Sequence, residues 1–176
     1  MPLVLSSRLS EMWNRARWYL LAGFVIAADQ ITKQAALAQL AYASPVAVVP
    51  GFFNLTLLFN TGAAFSLLDS ASGWQRWFFI GLAGVVSIGI AVWLARIERA
   101  RVWMPTALAL ILGGALGNLA DRVTLGYVVD FIQLYYQDWY WPAFNLADSA
   151  ICLGAGMLIV YGGDTSAEKN LTQSQS

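Results

Sequence analysis

Four long apolar stretches divide the chain, and polar or aromatic segments separate them. Each stretch is long enough to cross a hydrocarbon core of about 30 Å as a helix that rises 1.5 Å per residue. None presents the charged face that a buried helix of a soluble α-protein would turn toward water. The pattern predicts one mainly α-helical membrane domain over residues 1–176, with four transmembrane helices at about residues 18–40, 77–95, 102–120 and 144–161.

Isolated glycines lie within the last three stretches. Such glycines are costly in the helices of soluble proteins, whereas in membrane bundles small residues let neighbouring helices approach closely. We therefore expect helix contacts at Gly81, Gly84, Gly89, Gly113, Gly114, Gly117, Gly154 and Gly156.

The segments between the stretches contain β-type patterns. Residues 46–49 and 52–59 are β-branched and aromatic runs, and Pro50-Gly51 between them is a turn signal. A short hairpin or small sheet is therefore predicted within residues 41–73. A second extended piece is predicted around Tyr127 to Leu134.

Basic residues collect at three places: the N-terminus, the 96–101 loop and the polar tail over residues 163–176, which is predicted to be disordered. The positive-inside rule places both termini and that loop in the cytoplasm. The segments 41–76 and 121–143 then face the other side, and their aromatic residues suit a membrane interface. A cleavable signal peptide is not predicted, because no small-residue cleavage site follows the N-terminal arginines.

Composition narrows the possible chemistry. The chain is 59% hydrophobic and 11% charged, has no net charge and contains no histidine. Soluble domains average about 25% charged residues, and the absence of net charge argues against nucleic-acid binding. Without histidine there is no Ser-His-Asp triad, Cys-His pair or HExxH zinc site. An enzyme of this composition must use carboxylates, hydroxyls, amides, Lys or Arg.

Polar residues gather near the outer ends of the apolar stretches. Ionisable groups at membrane depth are expensive and indicate a functional site. Several are spaced i, i+3 or i, i+4 and so share one helix face. The set comprises Asp29, Lys33, Asn118, Asp121, Arg122, Asp130, Asn145 and Asp148.

Most members of this set have a structural alternative. Asp29 and Lys33 are either a helix-stabilising pair or part of a substrate entrance. Arg122 either reaches the head groups from an interfacial helix end or orients a carboxylate and ties elements together. Asn118 and Asn145 could equally be interhelical hydrogen-bond partners.

Asp130 and Asp148 are the strongest catalytic candidates. Neither has a basic neighbour within four residues, and both are embedded in apolar sequence. Two carboxylates at close range share a proton, because a like charge and desolvation raise one pKa. One can then activate water while the other, protonated, hydrogen-bonds the scissile carbonyl. This aspartic-protease chemistry requires no histidine, cysteine or metal.

Other nucleophiles are disfavoured. Cys152, the only cysteine, lies one turn from Asp148 but has no histidine base, so an ordinary buried cysteine is expected. A Ser-Lys dyad of Ser66 or Ser149 with Lys33 has no supporting spacing. Asp138, among aromatic residues, is expected to be a solvated loop residue.

Five sequence blocks resemble those of lipoprotein signal peptidase, also called signal peptidase II, in order and spacing over roughly residues 18 to 161. The blocks begin with Asp29-Gln-Ile-Thr-Lys33 and Phe59-Asn60-Thr-Gly-Ala-Ala-Phe-Ser66. They continue with Asn118-Leu-Ala-Asp121-Arg122, Val129-Asp130-Phe131 and Phe144-Asn145-Leu-Ala-Asp148-Ser149.

The resemblance implies an aspartyl endopeptidase of the bacterial inner membrane, with four transmembrane helices, a small periplasmic β-cradle and an active site near the periplasmic face. Its substrates would be prolipoproteins, cut just before a cysteine that carries diacylglycerol, and globomycin would inhibit it. By motif, Asp130 and Asp148 would be catalytic, and Asn60, Asn118, Arg122 and Asn145 would line or orient the site. Asp29, Lys33 and Asp121 would be supporting polar residues.

No cofactor or metal is expected, and a four-helix bundle can bury its own polar residues as a monomer, surrounded by membrane lipids. Two rival functions remain on sequence grounds. A proton-coupled transporter would spread its acidic residues through the bilayer depth, whereas these cluster at one level, and no internal repeat is evident. A non-catalytic assembly factor would tolerate Asp130→Asn.

Overall fold

A computed structural model describes residues 2–62, 74–97 and 102–162. The predicted tail at 163–176, Ser66 and the last part of segment 41–73 lie outside the described residues. The described helices are α1 (Pro2–Gln39), α2 (Trp74–Arg96), α3 (Trp103–Thr124) and α4 (Leu146–Gly162). The strands are β1 (Val46–Val49), β2 (Phe53–Asn60), β3 (Val128–Tyr136) and β4 (Trp139–Tyr140). The predicted mainly helical architecture with a small sheet is confirmed.

The third helix is the centre of the bundle, since α1, α2 and α4 all pack against it. Its glycines make this possible: a Cβ added at Gly113 would lie 2.7 Å from Val25 Cβ of α1, and one at Gly114 would collide with the carbonyl of Ala147 in α4. The predicted close contacts are confirmed at Gly113, Gly114, Gly117 and Gly154.

The same prediction is wrong for the glycines of α2. A Cβ added at Gly81, Gly84 or Gly89 would have no neighbour within 4 Å, and neither would one at Gly156 of α4. The reason is that α2 touches α3 on one face and leaves the rest of its surface exposed, including Trp77, Val85 and Ile88. Periodicity cannot distinguish a glycine at a helix contact from one on an open face.

Adding a methyl group should therefore have opposite effects at two glycines. We expect Gly114→Ala to destabilise the protein by about 1–3 kcal/mol, because the new Cβ overlaps the α4 backbone. Gly84→Ala is the matched control, and it should be neutral or stabilising by up to about 1 kcal/mol through helix propensity. Thermal unfolding in detergent measures both, and equal effects would contradict the packing described here.

Among the described residues, the helices α2 and α3 are long and apolar enough to cross a membrane. The exposed side chains of α2 are large and apolar, and nothing in the described fold covers them. Exposed apolar patches of this extent are unusual for soluble monomers. The helix α4 is apolar but shorter, with 17 residues.

The sheet is antiparallel with strand order β1-β2-β3-β4, so the predicted hairpin and second extended piece belong to one sheet. Its register shifts in the middle of β2: Leu55 faces Ile132, but Leu58 faces Asp130. Three steps along β2 thus match two along β3, which is a β-bulge. Because side chains alternate faces, this extra residue puts Asn60 on the same face as Asp130.

The ends of the helices differ from the apolar stretches in sequence. The helix α1 begins at Pro2 rather than near Trp18, since proline suits the first helical turn and no breaker follows. At the start of α4, Phe144 pairs with Ile132 as an isolated β-bridge, so the helix begins at Leu146 and not at residue 144. This pairing places the residues that follow Phe144 beside the middle of β3.

Candidate active site

The N-terminus of α4 is closed by a reciprocal cap between Asn145 and Asp148. The backbone N–H of Asp148 donates to Asn145 Oδ1 at 2.9 Å, and the N–H of Asn145 donates to Asp148 Oδ2 at 3.3 Å. This is the capping-box pattern, with Asp in the usual position of Glu. The carboxylate of Asp148 is thereby held beside the first turn, where the helix dipole favours negative charge.

Asp130 lies in the middle of β3 and is buried. Asn145 Nδ2 donates to its Oδ1 at 2.8 Å, and Asn60 Nδ2 donates to its Oδ2 at 3.0 Å. Asp130 and Asp148 therefore both contact Asn145, one through its amide and the other through its backbone. The two candidate aspartates, separated by 18 residues in sequence, meet at one residue in the fold.

Burial raises the pKa of Asp130 to about 7, and the nearby carboxylate of Asp148 contributes to the increase. The hydrogen bonds from Asn60 and Asn145 and the charge of Lys33 act in the opposite direction. Near neutral pH Asp130 thus carries a proton for a substantial part of the time. A carboxyl group tuned to the operating pH is suited to acid–base catalysis.

The side-chain amide of Asn118 links Asp148 to Lys33 and Asn145 through hydrogen bonds. Its Oδ1 accepts from Lys33 Nζ at 2.9 Å and from Asn145 Nδ2 at 3.2 Å. Because both donors hold the oxygen, the amide nitrogen points the other way and donates to Asp148 Oδ1 at 2.7 Å. The interhelical hydrogen bonds considered for Asn118 and Asn145 are therefore present, and they converge on both aspartates.

Lys33 is a fully buried ammonium with three partners. It lies 2.8 Å from Asp29 Oδ2 and 2.8 Å from Asp121 Oδ2, in addition to the bond to Asn118. An ammonium has three donors, so all three are used. The Asp29–Lys33 pair predicted from i, i+4 spacing is confirmed. With Lys33 only 1% exposed, the alternative that this pair forms a substrate entrance is not supported.

The two carboxylates beside Lys33 also hold backbone groups of the site. Asp29 Oδ1 accepts the N–H of Ala147 in the first turn of α4 at 2.9 Å, and Asp121 Oδ2 accepts that of Val129 at 3.2 Å. Gln30, which was not predicted as a site residue, donates to Asp121 Oδ1 at 2.8 Å. Its sequence signals were its position beside Asp29 in an apolar helix and its place in the block from Asp29 to Lys33.

Arg122 forms no ion pair with Asp121 in the described part of the chain, where Lys33 is the cationic partner of that carboxylate. Its expected role in orienting a carboxylate stays a prediction, and the carboxylates of Asp148, Asp130 and Asp121 all lie near enough to favour its charge. In the described part of the chain, Arg122 Nη1 donates to the carbonyl of Asn118 at 3.4 Å, and its guanidinium lies over the ring of Phe79. Helical spacing put Arg122 on the correct side of α3 but could not identify what lies opposite it.

Several residues lie outside this network. Cys152 is exposed rather than buried, because α4 packs through its Gly154 face and Cys152 points elsewhere. The hydroxyl of Ser149 donates to the carbonyl of Asn145 at 2.9 Å and is not paired with Lys33. Asp138 lies exposed in the turn between β3 and β4, as expected for a solvated loop residue.

A family model described as "Signal peptidase (SPase) II" matches residues 21–162. This range includes all of the network around the two aspartates. The chain belongs to the signal peptidase II family. Members of this family are peptidases, so the chain is a hydrolase, and the transporter and assembly-factor alternatives are not supported.

The curated relatives are described as lipoprotein signal peptidases. The lipoprotein signal peptidase of Acinetobacter baumannii strain ATCC 17978 is 58% identical over 143 residues, covering 81% of each chain. That of Pseudomonas aeruginosa strain PAO1 is 50% identical over 149 residues, covering 84% of this chain and 88% of the relative. That of Ectopseudomonas mendocina is 47% identical over 163 residues, covering 91% and 96%.

A solved structure described as a bacterial membrane enzyme has the same fold. It superposes with a TM-score of 0.75 at 33% identity, over 86% of this chain and 91% of the solved chain. A second structure with the same description gives a TM-score of 0.72 at 32% identity. Together with the exposed apolar helices, these neighbours identify this signal peptidase II family member as a membrane protein.

Proposed function

We propose that this peptidase removes signal peptides from prolipoproteins by a two-aspartate mechanism, cutting on the N-terminal side of a diacylglyceryl-modified cysteine. The observation that carries the proposal is the convergence of Asp130 and Asp148 on Asn145, next to a network of fixed amide donors. The names of the curated relatives support the prolipoprotein substrate.

The environments of the two aspartates favour different roles. Asp130 is buried and has a pKa raised to about 7, so it is the proton donor. Asp148 is half-buried, lies at a helix N-terminus and accepts two N–H groups, so it is the carboxylate that activates water. A protonated carboxyl beside a solvent-accessible carboxylate is the usual basis of such an assignment.

Hydrolysis then proceeds in two steps. Asp148 takes a proton from water as the water oxygen bonds to the scissile carbonyl carbon, while Asp130 donates its proton to the carbonyl oxygen. In the second step the leaving nitrogen receives the proton held by Asp148, the C–N bond breaks, and a proton returns from the intermediate's hydroxyl to Asp130. The products are the signal peptide carboxylate and the free amino group of the modified cysteine.

The surrounding polar residues orient the reacting groups. Asn60 and Asn145 each donate to one oxygen of Asp130, and Asn118 donates to Asp148, so these carboxylates hold one geometry. Preorganised donors of this kind lower the cost of rearrangement during the reaction. Arg122 would contact polar atoms of the substrate.

In the proposed membrane arrangement the chain has four spans, because α1 and α4 cross the membrane in addition to α2 and α3. Both termini would lie in the cytoplasm of a bacterium, and the sheet would form a periplasmic cradle over the site in the inner membrane. The distribution of basic residues supports this orientation. A signal peptide is itself an apolar helix in the bilayer, so its scissile bond would reach the dyad at the interface.

The diacylglyceryl requirement can be tested directly. We expect the purified protein in detergent to release the signal peptide from a prolipoprotein whose cysteine is lipid-modified, and not from the unmodified precursor. The reaction should need no cofactor, proceed with monomeric enzyme, and be inhibited by globomycin. Mass spectrometry of the products locates the cut, and equal cleavage of both precursors would contradict the proposed specificity.

The pH dependence of cleavage should reflect the raised pKa of Asp130. Because the proton donor must be protonated, kcat/KM should fall as the pH rises through about 7. Asn60→Ala removes a hydrogen bond that lowers this pKa, so the decline should move to higher pH in that variant. A pH–rate profile of both proteins measures this, and a shift to lower pH in Asn60→Ala would contradict the assignment.

A further inference from the structure

The end of α3 nearest the site is held by a side chain from α2. A helix leaves its last four carbonyl oxygens without partners inside the helix. Arg76 Nε donates to the carbonyl of Arg122 at 2.9 Å, and Arg76 Nη2 donates to that of Val123 at 2.9 Å. One guanidinium thus satisfies two of these oxygens, and its charge suits the negative end of the helix dipole.

One turn further along α2, Phe79 contacts Arg122 of the proposed site and the backbone of Gly62. The guanidinium carbon of Arg122 is 5.2 Å from the centroid of its ring. The backbone of Gly62 packs on the same ring, because a Cβ added at Gly62 would lie only 2.5 Å from Phe79 Cε2. Asn60 Oδ1 accepts the N–H of Gly62 at 2.9 Å, which joins this turn to the Asp130 site.

The guanidinium of Arg122 has few hydrogen-bond partners among the residues that the structure describes. It has five N–H donors, yet within the described residues its hydrogen bond is one of 3.4 Å to the carbonyl of Asn118, and Nε is buried without a partner. A guanidinium that is held by a ring face leaves its donors available. This arrangement suits an arginine whose N–H donors bind a ligand.

We propose that Phe79 and Arg76 are positioning residues that hold Arg122 so that the donors left unpaired within the described residues bind carbonyl oxygens of the substrate. Arg76 holds the backbone of Arg122, and Phe79 holds the guanidinium and the Gly62 turn. Carbonyl oxygens are the fitting partners because both the peptide and the diacylglyceryl esters supply them. The inference rests on the proposed function, since it assigns Arg122 to substrate binding.

The test compares steady-state cleavage of lipid-modified prolipoprotein by variants of α2. Phe79→Leu should raise KM about tenfold and leave kcat within about twofold, because the lost contact supports substrate binding. Phe79→Tyr keeps the ring and should stay within about twofold of wild type in KM. Trp93→Leu, an exposed aromatic on the same helix, is the matched control and should leave both constants unchanged.

A double-mutant cycle separates positioning from general stability. If Phe79 acts through Arg122, then Phe79→Leu should change KM by less than about twofold in an Arg122→Gln background. Additive effects, or an unchanged KM in Phe79→Leu alone, would overturn the inference. Should Phe79→Leu fail to fold, Arg76→Gln takes its place in the same cycle, with the same two outcomes.

Cleavage by wild type and the double-mutant cycle together separate a wrong positioning role from a wrong proposed function. If wild type does not cleave the modified precursor, the proposed function is wrong and the inference falls with it. If wild type cleaves and the cycle is additive, the proposed function stands and the positioning role of Phe79 and Arg76 is rejected.

Discussion

Asp130→Asn and Asp148→Asn should each lower the rate of prolipoprotein cleavage by a factor on the order of 10⁴. The first variant has no acidic proton to give to the scissile carbonyl. The second has no carboxylate to accept a proton from water. Because the two residues act as one unit, the double variant should be no slower than either single variant.

Neither substitution should unfold the protein. Asn at position 130 keeps the side-chain shape and one acceptor for the donors of Asn60 and Asn145, and it removes a carboxylate whose ionised form is penalised by burial. We expect a stability change of at most about 1–2 kcal/mol from the altered hydrogen bond. Thermal unfolding of each variant in detergent provides this check beside the activity measurement.

Lys33→Met should cause the largest loss of stability. The ammonium lies 2.8 Å from both Asp29 and Asp121 and is their shared cation. Removing one partner of a buried ionic cluster costs about 3–5 kcal/mol, because the remaining charges stay buried and uncompensated. Here the two remaining charges also repel each other.

A compensated variant distinguishes this electrostatic effect from lost packing. Lys33→Met combined with Asp29→Asn and Asp121→Asn removes all three charges and should recover much of the stability. Arg17→Met, an exposed basic residue of the same helix, is the matched control and should not change the unfolding temperature measurably. A triple variant as unstable as Lys33→Met would show that packing of the lysine stem dominates.

Much of the site could be predicted from sequence because polar residues in apolar surroundings are rare and costly. Asp130 and Asp148 were identified in this way, and i, i+4 spacing gave the Asp29–Lys33 pair. The cap of α4 also follows a local sequence rule, since Asn145 and Asp148 lie i, i+3 at the start of an apolar stretch. These features depend on neighbours within one turn of helix.

Features that depend on distant partners could not be predicted in the same way. The bulge that puts Asn60 on the face of Asp130 is a matter of register between β2 and β3, and no turn signal marks it. The choice of Lys33 rather than Arg122 as the partner of Asp121 depends on the rotation of α1 against α3. The sequence around Arg76 likewise does not show that this residue reaches the end of α3.

The same limit explains the glycines. Gly114 and Gly84 have similar surroundings in sequence, yet one faces the backbone of α4 and the other faces open space. They differ in whether another helix packs against them in the fold. Apolar content identifies a membrane helix well, but it says little about which face meets its neighbours.

The most direct test of the two-aspartate mechanism is mass spectrometry of a lipid-modified prolipoprotein after incubation with wild type, Asp130→Asn, Asp148→Asn and the exposed-turn control Asp138→Asn. We predict a single cut before the modified cysteine with wild type and the control, with or without a chelator. The other two variants should be folded and give no product. Cleavage at the wild-type rate by folded Asp130→Asn or Asp148→Asn would contradict the mechanism.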